Sequence, residues 1–89
     1  MSALKKFKDS MVEGSQWVGE YPWGEIDCRQ VYKKNTVGIR FVAEVRGKII
    51  ITYMDYPKSK DILINDDGSF TIFLSDNKSE KITYRKWIA

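Results

Sequence analysis

Apolar and polar positions alternate most cleanly between residues 37 and 45. Val37, Ile39, Phe41, Ala43 and Val45 take one side, and Gly38, Arg40, Val42 and Glu44 take the other. A period of two is that of a strand with one buried face. The stretch VRGKIII follows, where Gly47 can supply the positive φ of a tight turn. A type I turn with a bulge at Gly47 would pair Glu44 with Lys48, an opposite-charge pair on the wet face. It would also set Ala43 beside Ile49, Phe41 beside Ile51 and Ile39 beside Tyr53, so that core meets core and Tyr53 is a core residue. A two-residue turn would shift the register by one and bring Lys48 onto the apolar face. The bulged turn is therefore the expected one.

Further strands bracket this hairpin. Ile62 and Ile64 lead into NDDGS, and Phe70, Ile72 and Leu74 lead out. Asp-Gly between alternating apolar runs is a strong hairpin signal, and a three-residue loop makes Ile64 meet Phe70 and Ile62 meet Ile72. The turn SDNKS then starts a last strand, Glu80–Ile88, with Ile82, Tyr84 and Ile88 on one face and Arg85 and Trp87 on the other. Residues 16–21 and 26–33 form a first hairpin through Pro22–Trp23–Gly24. Ahead of them, Leu4, Phe7 and Met11 fall on one helical stripe with Val12 beside it, predicting an amphipathic helix over residues 2–13 that stops at Gly14. A helix this short must dock to be stable. The fold expected is β-rich α+β in a single domain, 1–89. A short N-terminal amphipathic helix (about 2–13) precedes a curved antiparallel β-meander (about 15–88) that closes into a small barrel or sandwich of about six to seven strands.

Composition narrows the chemistry. The chain has 89 residues, so large apolar side chains are needed for the core before anything else. Histidine is absent and Cys28 is the single cysteine. The commonest general base and metal ligand are missing, and neither a Cys/His zinc site nor a Cys–His nucleophile pair can form. No GxxxxGK[ST] or GxGxxG motif occurs. Asp66 and Asp67 adjoin Gly68 in a turn, where Asp is a turn former. In IDCRQVY, Cys28 alternates with Ile26 and Tyr32, which assigns it to the core and turns Arg29 the other way. By subtraction the protein is read as no enzyme, with no metal and no cofactor. No apolar run spans a bilayer and the N-terminus carries no secretory h-region, so the expected location is cytoplasmic and no membrane partner is expected.

Surface recognition remains. Net charge is +3 and the pI about 9.0, which permits an anionic partner without demanding one. The first expectation is a binding module for an anionic ligand, a nucleic acid or a nucleotide. Its site would be Arg40, Tyr56, Lys58, Lys60, Arg85 and Trp87, since aromatics among cations are how small sheet proteins hold single strands. The alternative is a small interaction or inhibitor protein that docks on a larger partner. It would use the aromatic run WVGEYPWGE, with Trp17, Tyr21 and Trp23, together with outward apolar residues. The same three aromatics could instead fill a small core. Val42, Ile50, Leu63, Phe73 and Trp87 are expected to point away from the core. That much apolar surface needs the helix, a second layer or a partner over it, and homodimerisation is one such cover.

Overall fold

The computed structural model describes residues 2–74 and 79–88. Helix α1 (Ala3–Ser10) precedes β1 (Gln16–Glu20), β2 (Ile26–Lys34), β3 (Gly38–Val45), β4 (Lys48–Asp55), a 3-10 turn (Ser59–Asp61), β5 (Ile62–Ile64), β6 (Phe70–Phe73) and β7 (Lys81–Lys86). The seven strands make one antiparallel sheet in the order β4-β3-β2-β1-β7-β6-β5. Two meanders, β1–β4 and β5–β7, are thus joined where β7 returns to β1. Most of the predicted turn SDNKS, residues 75–78, lies outside the described residues.

The sheet must curl. Residues 56–61 link β4 to β5, the two opposite edges. Six strand spacings in a flat sheet are about 29 Å. The link and its flanking residues reach about 24 Å when fully extended, and part of the link is a 3-10 turn. Side chains confirm the curl: Phe41 of β3 stacks on Tyr84 of β7 at 5.9 Å, and the Tyr84 hydroxyl reaches the Met54 sulfur of β4 at 3.7 Å. The edges nevertheless make no pairing with each other, so the sheet is not closed into a barrel. Helix α1 lies against β5, and the Lys8 ammonium stands 4.7 Å over the ring of Tyr56, just past the end of β4.

The helix fills the inside of the curl. Phe7 and Met11 are fully buried, and Phe7 meets Phe70 edge-on at 5.2 Å. Trp17, Val31, Ile39, Ile62 and Ile72 complete this core. Ser2 caps the helix by accepting from the Lys5 N–H, and Lys34 of β2 donates to the Lys8 carbonyl near the other end. The helix is shorter than residues 2–13. Met11 already has a non-helical ψ of 64°, and Gly14 (φ 89°) is a turn residue whose N–H bonds to Val31 and feeds the chain into β1. Val12 and Val37 are exposed, and Ile88 lies beyond the last strand in solvent.

The hairpins at Pro22–Gly24 and Asp66–Gly68 have the expected three-residue loops, each with a glycine at positive φ. Ile64 pairs with Phe70 and Ile62 with Ile72. The β3–β4 hairpin differs from the expectation. Its loop is the two-residue Arg46–Gly47, both at positive φ (52° and 78°), and the pairs are Val45–Lys48, Glu44–Ile49, Ala43–Ile50 and Phe41–Thr52. Positive φ at both central residues is the two-residue hairpin geometry that matches the twist of the strands. The one-residue shift turns Ile49, Ile51 and Tyr53 outward and Ile50 inward. The Tyr53 ring lies over Gly38, where a Cβ would press on the Met54 carbonyl oxygen and come within 2.6 Å of the Tyr53 hydroxyl.

Two stability changes follow. Phe7→Ala should cost about 3–5 kcal/mol in denaturant unfolding. Gly38→Ala should cost about 1–3 kcal/mol by overpacking against backbone.

Candidate functional site

The inner face has a polar end. Asp27, Arg29 and Val31 of β2 face inward, and Ile26, Cys28 and Tyr32 face outward and are exposed. The expectation of a core Cys28 is thereby overturned. The apolar members of IDCRQVY do alternate, but the inward set contains the ion pair Arg29–Asp27, whose charges face each other although the Arg29 Nε has no hydrogen-bond partner among the described residues. Arg29 donates to Asp27 and, at 3.4 Å, to Thr52 of β4. Its guanidinium lies 5.2 Å from the Phe41 ring and 5.5 Å from the Tyr21 ring, a favourable placement over aromatic faces. The Tyr21 hydroxyl donates to Asp27 at 2.9 Å. Gly19 lets Tyr21 fold back this way, since a Cβ there would sit 2.9 Å from the Tyr21 hydroxyl.

Burial raises the pKa of Tyr21, with help from Tyr84 and from the hydrogen bond to Asp27, and burial likewise raises that of Tyr84. For Arg29, burial disfavours the cation, but the hydrogen bond to Asp27 and the neighbouring charges outweigh it, and its pKa lies above the ordinary value. This cluster ties the curl together: its members come from β2, β3, β4 and β7 and from the turn that follows β1.

The nine residues singled out from the sequence do not form one site. Trp17 is buried, with its indole N–H donating to Ser15, so it belongs to the core. Tyr21 and Trp23 stack at 5.0 Å with their rings 3° from parallel, and Trp23 is largely exposed at the loop tip. Arg40 is on the outer face, paired across strands with Tyr53. Tyr53 is therefore a surface residue rather than a core one, and the neighbouring Asp55 carboxylate is the largest cause of its raised pKa. Tyr56 packs partly on the core beneath Lys8, and Lys58 and Lys60 are exposed in the β4–β5 link. Arg85 is paired with Glu20 and also lowers the Asp67 pKa, after two hydrogen bonds from Ser69 that do more. Its charge is thus committed to acids of the same chain.

Trp87 belongs elsewhere. Its N–H bonds to Gln16, which extends the β7–β1 edge, and its side chain closes one end of a shallow outer groove of about 450 Å³. Ile49 closes the other end, with Cys28, Gln30, Val42 and Glu44 along the floor. Beside it, Ile49, Ile51 and Tyr53 are 74%, 56% and 51% exposed. Ile26 and Leu63 are exposed on this face as well, while Val18 is buried on it. The sequence reading missed Ile49, Ile51 and Tyr53. The signal that could have found them was the two-residue alternative at Arg46–Gly47.

No family model, curated protein or solved structure matches the chain. Among the described residues no helix is long and apolar enough to cross a membrane, and no cluster of three or more His, Cys, Asp or Glu could hold a metal ion.

Two outcomes test the inner cluster. Arg29→Met should cost up to about 3 kcal/mol by stranding Asp27, and the double change with Asp27→Asn should recover part of it. Tyr21 and Tyr84 have folded pKa values above their ordinary 10.0. Their contribution to stability is fully present below pH 10 and is lost as pH rises beyond it, because only the unfolded chain ionises there. The unfolding midpoint should fall above pH 10, with tyrosinate absorbance appearing together with unfolding.

Proposed function

We propose that the protein is a small non-enzymatic interaction module that docks a larger protein on the outer face of β2, β3 and β4. The observation that carries this reading is the exposed apolar set Ile49, Ile51 and Tyr53 beside the groove between Ile49 and Trp87. An apolar face with an aromatic at its wall is the composition of an interface core rather than of solvated surface. The helix that could have covered it is spent on the inner face. An exposed, unpaired Cys28 in the groove suits a reducing compartment such as the cytoplasm.

The test is co-purification followed by rebinding of the recovered partner to purified variants. Ile49→Lys and Trp87→Ala should each weaken binding by tenfold or more, on the order of 1.4 kcal/mol or above, and Trp23→Ala should leave it unchanged. Equal binding by all three variants would contradict the assignment.

A second reading, an anionic ligand such as a nucleic acid or nucleotide, draws on the exposed Lys58 and Lys60 beside the Lys8–Tyr56 pair. It requires single-strand binding whose affinity falls with salt, at a slope of about 0.7 per phosphate contact. Fluorescence anisotropy at two salt concentrations decides it, and absence of binding at low salt excludes the nucleic-acid form.

A further inference from the structure

We infer that two copies of this chain pair antiparallel along β4, joining their sheets into one. The inference uses the edge of β4 rather than its outer face, so it goes beyond the docking reading and stands or falls separately.

β4 is an end strand of eight residues, Lys48–Asp55. In a two-residue hairpin the flanking residues, here Val45 and Lys48, are the bonded pair. Bonding to β3 then recurs at Ile50, Thr52 and Met54, and the bond from the Tyr56 N–H to the Val37 carbonyl continues the same phase. The N–H and C=O groups of Ile49, Ile51, Tyr53 and Asp55 therefore face away from the sheet. Among the described residues, no backbone bond from outside the β3 ladder reaches them. The usual protections of an edge are missing as well: β4 has no proline, its pairing with β3 is unbroken by a bulge, and its one lysine stands at its first position. The opposite edge, β5, is only three residues long and has the helix beside it.

The occupant is a second copy because β4 is complementary to itself. Arg46 and Lys48 make its beginning basic, and Asp55 makes its end acidic. Antiparallel self-pairing lays each acidic end beside the other copy's basic end, twice by symmetry. Keeping each face continuous requires residues of like parity to stand opposite. Centring the pair on Ile51 sets Ile51 against its own copy and Ile49 against the second copy's Tyr53, both pairs apolar and both on the outer face. Centring it on Thr52 would set Ile49 against Asp55. The first register is the one we assign.

The experiment combines mass by light scattering or sedimentation, from low micromolar to near-millimolar protein, with amide exchange by NMR. The expected result is a mass that rises towards twice the monomer, with the Ile49, Ile51 and Tyr53 amides becoming protected over the same concentration range. Ile51→Pro removes one outward N–H without touching the β3 ladder and should hold the chain monomeric. Should that variant fail to fold, Asp55→Arg should weaken association about tenfold, and adding Arg46→Asp with Lys48→Glu should restore it. A monomer at every concentration overturns the inference and leaves the docking reading intact. So does a dimer in which those three amides still exchange freely, or one indifferent to the charge reversal.

Discussion

A link of six residues between opposite edges of a seven-stranded sheet dictates the shape of this protein. The link cannot reach across a flat sheet, so the strands roll up until β4 and β5 approach each other. Rolling leaves a single inside. Tyr84, Phe41 and Phe70 line it, and the apolar stripe of α1 supplies Phe7 and Met11 to fill it. The helix stands at the gap and touches β5, and the edges stay unpaired. At the other end of the inside the Asp27–Arg29 pair, with Tyr21 and Thr52, does by hydrogen bonding what apolar packing does near the helix.

Much of the outer face of β3 and β4 is then without cover. In an open two-layer fold a helix often shields the second face of a sheet. Here the only α-helix among the described residues is inside. The β3–β4 turn sharpens the consequence. With both Arg46 and Gly47 at positive φ, β4 sends Ile49, Ile51 and Tyr53 to the outer side and Ile50, Thr52 and Met54 to the inner one. The Tyr53 ring settles over Gly38, which has no side chain to obstruct it. An apolar, partly preformed outer surface is thus a product of the register, and the docking proposal rests on it.

Much of this architecture was legible in the sequence. Asp-Gly at 67–68 and Pro-Trp-Gly at 22–24 gave two hairpins with their loop lengths, because glycine at positive φ is the chemistry those loops require. The stripe Leu4–Phe7–Met11 gave the helix and its buried face. Two features misled. The two-residue turn is disfavoured in the sequence because it sets Lys48 on the apolar side, but there Lys48 pairs with Val45 at the exposed end of the hairpin, where its charge stays in solvent. In β2 the inward positions are Asp27 and Arg29, and a reading by hydrophobicity assigns such residues to solvent. The groove between Ile49 and Trp87 could not be read, since its walls come from strands far apart in the chain and meet only after the sheet is assembled. The basic residues chosen as a site were legible as charges, but their partners were not. Arg85 is taken by Glu20, and Arg40 and Lys58 stand on separate elements.

The register of β4 is therefore the quantity to measure. Non-bonded antiparallel pairs bring their Hα atoms close, and cross-strand Hα–Hα NOEs report them directly. The structure predicts such NOEs for Glu44–Ile49, Val42–Ile51 and Arg40–Tyr53. NOEs instead between Ala43 and Ile49 or between Phe41 and Ile51 would mean that the turn is bulged, that Ile49, Ile51 and Tyr53 face the core, and that the outer docking surface does not exist.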